Sequence, residues 1–155
     1  MMAELPLVRA VSAEDQEAWQ RLFQAYGVFY ETVFDDDVCQ GVWRWLMEDN
    51  HPVQCFVAEK AGVVVGFAHL RAQHDTFTAG PSWFLDDLFT APEARGNGVA
   101  TALIEHVKNF AGTQGGGTLR WITAADNHRA QRLYDALAQR TSWVVYQDET
   151  DGTLR

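Results

Sequence analysis

The chain has 155 residues, 47% of them hydrophobic, with six tryptophans and nine phenylalanines, which suits one buried core and excludes a disordered chain. A formal net charge of −9 opposes a phosphate backbone, so nucleic acid is an unsuitable partner and a cationic small molecule or basic segment a better one. No apolar run reaches the length of a membrane span, and the start, "MMAELPLVRAVSAED", lacks a basic-then-apolar leader. Cys39 and Cys55 are isolated, with neither disulfide nor CxxC spacing, so the reducing cytoplasm is the expected location.

In chain order, Ser12 with Asp15 three residues later predicts a capped helix start, followed by Ala18, Trp19, Leu22, Phe23 and Tyr26 at helical spacing, with Gly27 as its end. A second helix is expected after Asp35, with Val38, Val42, Trp45 and Leu46 inward and the triplet Asp35-Asp36-Asp37 solvated at its positive end. "VQCFVAEK" and "VVVGFAHLRAQ" read as a β-hairpin turning at Ala61-Gly62. A loop over 76–81 leads to the strand "SWFLDDLFT". A helix over 99–111 buries Val99, Leu103, Ile104, Val107 and Phe110. "GTQGGG" is expected to be a flexible connection, "TLRWITA" a strand, 127–139 a helix and "SWVVYQ" a final strand. Strands alternating with crossover helices need parallel pairing, whereas the hairpin is antiparallel. The expected fold is therefore a single α/β domain over 1–155 with one mixed sheet and helices on both faces.

The stretch "LDDLFTAPEARGNGVATALIEHV" places two glycines and an arginine where a strand gives way to a helix. A helix N-terminus leaves backbone N–H groups unpaired and favours negative charge. Glycines there let a diphosphate approach the main chain, and Arg95 adds a charge-assisted donor. The P-loop is excluded, because no Gly-Lys-Ser/Thr ending follows. The dinucleotide fingerprint is broken by Thr101 at its third glycine position. Arg-x-x-Gly-x-Ala from Arg95 to Ala100 remains, either as a pyrophosphate cradle or as a turn that merely reverses the chain.

The same stretch resembles motif A of the GNAT superfamily of N-acetyltransferases. "RWITAADNHRAQRLYDALAQRTSWVVY" resembles that family's motif B, including Asn-x-x-Ala-x-x-x-Tyr. Together they cover residues 83–146. "LDDLF" and "AQRLYDALAQRTSW" look closest to the histone, polyamine and amino-acid acetyltransferase branch, although the frequent Gly-Phe after the tyrosine helix is absent. The resemblance implies a mostly antiparallel sheet whose central parallel pair splays. Leu88, Phe89 and Thr90 would then offer backbone groups to the pantetheine arm of acetyl-CoA. Arg95, Gly96, Asn97, Gly98, Val99 and Ala100 would form the cradle, with the Thr101 hydroxyl and Asn127 nearby.

It further implies that Tyr134 protonates the leaving thiolate, a reasonable transfer for a phenol facing a thiol, although periodicity alone makes it a packing residue. Asp86 falls where polyamine-type relatives carry an acid proposed as base, a task that a water chain could also perform. Strand alternation separates Asp86 from Asp87 unless a bulge intervenes. The oxyanion donor is expected to be a backbone N–H near Phe89. A direct attack by the amine in a ternary complex needs no nucleophilic cysteine. The five histidines have no metal-ligand spacing, so no metal is implied, and strand-borne His69 reads as a packing residue.

The leading reading is thus an acetyl-CoA-dependent N-acetyltransferase acting on a primary amine: a small amine, polyamine, amino acid or lysine side chain. The alternatives are a non-catalytic acyl-CoA sensor and an interaction domain or homodimer using Trp43, Trp45 or Trp143. The acceptor pocket is expected from residues 26–37 and the loop after His74, with Glu31, Asp35, Asp36, Asp37 and Asp86 as its acids.

Overall fold

The valine-rich run from Val53 pairs as its alternation predicts. In the computed structural model, which describes residues 5–152, β2 (Val53–Lys60) and β3 (Val63–Asp75) form an antiparallel hairpin. β1 (Leu7–Ala10), not foreseen from the sequence, lies against β2, and β4 (Gly80–Thr90) lies against β3, both antiparallel. β5 (Leu119–Arg120) closes the sheet in parallel with β4, giving the order β1-β2-β3-β4-β5. The chain divides into two compact units, Met1–Ile122 and Thr123–Arg155, and the sheet belongs to the first.

Helices cover both faces of that sheet. α1 (Gln16–Phe29) and α2 (Asp36–Met47) bury Trp19, Leu22, Phe23, Cys39 and Trp43 against Cys55, Val57, Phe67 and Phe89. The opposite face takes α3 (Val99–Thr113), whose Val99, Leu103, Ile104 and Val107 are buried as expected, with Phe110 against Phe56 and Trp83. Alternation along β2 explains the two cores, because Phe56 and Val57 must point oppositely.

Before α1, the Ser12 N–H donates to the Asp15 carboxylate at 2.8 Å, the expected reciprocal cap. Gly27 does not end the helix, which runs to Phe29. The glycine is needed because Phe34 packs so closely that a Cβ there would come within 2.8 Å of its ring. The buried stripe of α2 is Cys39, Val42, Trp43 and Leu46, one step round from the expected one, leaving Val38 and Trp45 exposed. Trp45 stacks on His51 at 5.3 Å instead. Asp35 caps α2 by accepting from the Val38 N–H at 2.9 Å, so the acidic triplet is a helix start.

In the second unit, α4 (His128–Leu137) begins where Asn127 Oδ1 accepts from the Ala130 N–H at 3.2 Å. The expected final strand "SWVVYQ" does not form. Residues 142–147 have no ladder among the described residues, and Trp143, Val144, Val145 and Tyr146 are 66–93% exposed. A β-prone segment that pairs with no strand stays irregular, whatever its propensity.

Candidate active site

Along β4, an irregularity shapes everything downstream. His69 pairs with Asp87 while Leu70 pairs with Leu85, so Asp86 is an extra residue, a β-bulge. A bulge bends its strand and strengthens the local twist. The parallel ladder to β5 stops just before it, at Trp83↔Leu119 and Phe84↔Arg120, and the expected strand over 118–124 shrinks to two residues. Among the described residues, β4 beyond Phe84 therefore has a ladder partner on one side only.

Alternation tells which groups face that open edge. The Ala91 N–H donates to Val65 O at 2.8 Å, so residue 91 and, two positions back, Phe89 turn their backbone groups towards β3. Leu88 and Thr90 turn theirs outward. The outward carbonyl of Thr90 is the one that accepts from Arg95 Nε at 3.3 Å. This amends the expectation for Phe89. Its side chain is buried and its N–H faces the sheet, leaving Leu88 and Thr90 as the backbone groups available to a ligand.

The glycine turn follows directly. After the 3-10 turn Pro92–Ala94, Gly96 has φ +82° and Gly98, the N-cap of α3, has φ +77°. Both lie in the left-handed region that favours glycine, and a Cβ at either would meet nothing within 4 Å. Asn97 Nδ2 donates to Ala94 O at 3.1 Å and Arg95 O at 3.3 Å, fixing the turn from inside. The first turn of α3 holds no acidic residue. The turn thus presents the unpaired N–H groups of Val99, Ala100 and Thr101, a positive dipole end and open space above the backbone. The Arg95 guanidinium lies 5.7 Å from the Phe89 ring and 5.9 Å from Phe29, without a carboxylate partner among the described residues.

On the face covered by α1, the bulge does what simple alternation forbids. Asp86 reaches Arg71, with Nε–Oδ2 and NH2–Oδ1 both at 2.9 Å, and Asp87 reaches His69, with Nδ1–Oδ2 at 2.8 Å. Arg71 and His69 are two apart on β3 and share one face, so both carboxylates do too. The end of α1 joins this acidic bulge to the cradle. Phe29 lies under Arg95, Tyr26 packs on Phe89 at 6.1 Å, and the Tyr26 phenol is close enough to Asp87 to feel its charge. Burial, then the Asp87 charge, push the Tyr26 phenol well above its ordinary value, so it remains a donor. Burial and the same charge raise Tyr30.

Asp86, Leu88 to Thr90 and Arg95 to Thr101 are thereby gathered in the first unit. Asn127, the N-cap of α4, and Tyr134 on α4 belong to the second, both half-buried at the spacing of one helix face with Ala130. Glu31 follows α1 at φ +58°. Sequence reasoning placed Asp87 on the face opposite Asp86 unless a bulge intervened, and Tyr26 only within the expected acceptor segment 26–37, without foreseeing that the two come together. A bulge has no composition signal, and Tyr26 reads as one more apolar position of α1. Among the described residues no group of three or more His, Cys, Asp or Glu is placed to hold a metal, and no helix is long and apolar enough to cross a membrane.

The pattern of the Acetyltransferase (GNAT) family matches residues 14–138. The chain is 30% identical over 148 residues to the D-amino-acid N-acetyltransferase of Saccharomyces cerevisiae, covering 94% of this chain and 92% of that protein. It is 35% identical over 113 residues to an aminoglycoside N(6')-acetyltransferase type 1 of Serratia marcescens, covering 70% and 77%. Its fold is similar to that of an aminoglycoside N-acetyltransferase solved in complex with CoA, with TM-score 0.80, 24% identity and coverage of 96% and 97%. The chain belongs to the GNAT family of acetyltransferases and is an acyltransferase of that family.

Proposed function

We propose that this acyltransferase moves an acetyl group from acetyl-CoA directly to a cationic primary amine in a ternary complex. The observation that carries the reading is the open glycine turn at α3, continuous with the one-sided edge of β4. Backbone N–H groups of Val99 to Thr101, with Arg95, would hold the pyrophosphate, and the outward groups of Leu88 and Thr90 would hold the pantetheine arm. Acetyl-CoA would supply the activated thioester carbonyl. Tyr134 would protonate the departing thiolate, a role resting on the motif-B resemblance and on α4 carrying Asn127, Ala130 and Tyr134 on one face.

The acidic bulge and Tyr26 form the acceptor side. Their negative charge suits polyamines, basic amino acids or lysine side chains, and the two relatives named above carry D-amino acids and aminoglycosides in their names. A homodimer belongs to the same proposal. Trp43 is buried in the core and Trp45 stacks on His51, whereas Trp143 to Tyr146 form a run of exposed large side chains. A monomeric mass in solution contradicts that part.

The test is free-thiol release from acetyl-CoA with a panel of spermidine, lysine, D-amino acids and an aminoglycoside. Turnover with at least one amine supports the reading. Acetyl-CoA binding without turnover on any of them would make the chain a sensor.

A further inference from the structure

The two carboxylates on this face are engaged differently, and their partners separate them. Asp86 has both oxygens bound by one guanidinium in a fork-to-fork pair, and Arg71 is itself seated over Phe84 at 5.4 Å. Asp87 is built differently. Its Oδ2 accepts from His69, a side chain only 2% exposed, and no cation is paired with it among the described residues.

The tautomer of His69 follows from its other nitrogen. Trp19 Nε1 lies 2.9 Å from His69 Nε2, and an indole nitrogen only donates. Nε2 is therefore the acceptor, and the single ring proton sits on Nδ1, pointed at Asp87. A second proton on His69 would set one N–H against another. The chain Trp19–His69–Asp87 thus holds Asp87 from behind with a neutral imidazole.

We propose that Asp87, rather than Asp86, is the carboxylate that takes the acceptor's proton, with His69 and Trp19 as its positioning residues. This rests on the acetyl-transfer reading above. The titratable groups facing Asp87 are Tyr26 and Tyr30 from α1, Cys55 from β2, His69 from β3 and the neighbouring Arg71–Asp86 pair. Tyr26, Tyr30 and Cys55 are raised, chiefly by burial, and stay neutral. Arg71 cancels Asp86, so Asp87 carries the net charge of the cluster. An acceptor entering as an ammonium gives one proton to Asp87. Its lone pair then forms the N–C bond, the C–S bond breaks, and the thiolate takes the Tyr134 proton. The second proton lost from nitrogen restores the phenol through water, and Asp87 releases its own to solvent.

The experiment uses the full chain, acetyl-CoA and the panel amine turned over fastest, over a range of pH. Asp87→Asn is expected to lower kcat/KM for the amine roughly 10²-fold and to reduce by one the slope of the limb that rises with pH. Asp86→Asn keeps that slope. Trp19→Phe, which removes the indole donor, is expected to shift the midpoint of that limb, whereas Trp43→Phe in the same core leaves it in place. Nitrogen-15 NMR of His69 reads the tautomer independently of activity, with the proton expected on Nδ1. Wild-type rate and slope in Asp87→Asn, loss of the slope in Asp86→Asn, or a proton on Nε2 each overturn the proposal while leaving acetyl transfer standing. Absence of turnover in the wild-type chain overturns both.

Discussion

The C-terminal end of β4 and its middle are made of different material. Its C-terminal end, with the turn into α3, is a backbone site: two left-handed glycines, unpaired N–H groups and one arginine, all within residues 88–101. Its middle is a side-chain site, where Asp86 and Asp87 find Arg71, His69, Trp19 and Tyr26 across as many as 68 positions of chain, His69 and Trp19 being 50 apart. A backbone site depends on local sequence and can be read from it. A side-chain site depends on register, and here the register contains a bulge.

The comparison is tested first through the group outside both ends. Tyr134→Phe is expected to lower kcat by roughly 10²–10⁴-fold with acetyl-CoA affinity unchanged, read by steady-state kinetics and calorimetry. An unchanged kcat with chemistry rate-limiting would remove Tyr134 from the mechanism. Next comes the backbone end. Gly98→Val forces a β-branched residue to φ +77° and puts a side chain over the cradle, so acetyl-CoA should bind about 10–100-fold more weakly. An unchanged affinity would mean that the turn only reverses the chain.

At the side-chain end, Tyr26→Phe removes the phenol beside Asp87 and should cost several-fold, about 10-fold at most, in kcat/KM for the amine without affecting acetyl-CoA. The smallest effect lies away from both. Asp15 accepts from Arg9 at 2.7 and 2.9 Å, and this bonding holds its carboxyl below the ordinary range. A lowered folded value adds stability that is present above the unfolded value and lost as pH falls through the folded one. Asp15→Asn should therefore cost about 1–2 kcal/mol in urea melts at neutral pH, and the difference should close below about pH 4.

Much of the fold was readable for the same reason as the cradle. The hairpin, the stripe of α3 and the caps at Ser12 and Asp35 are local patterns, and they form where expected. The failures are non-local. The stripe of α2 is displaced because Cys39 and Trp43, not Val38 and Trp45, meet the sheet. The strand over 118–124 is cut short just before the β4 bulge, and "SWVVYQ" has strand composition but pairs with no strand among the described residues. Alternation alone put Asp86 and Asp87 on opposite faces, with a bulge as the stated exception, and the bulge that is present brings both round to α1.

The division of labour along β4 is tested most directly by titrating acetyl-CoA into wild-type protein and into Asp87→Asn, alongside amine kinetics on both. Equal acetyl-CoA affinity with a roughly 10²-fold loss in kcat/KM for the amine is the predicted result. A loss of acetyl-CoA affinity in step with the loss of turnover would contradict it.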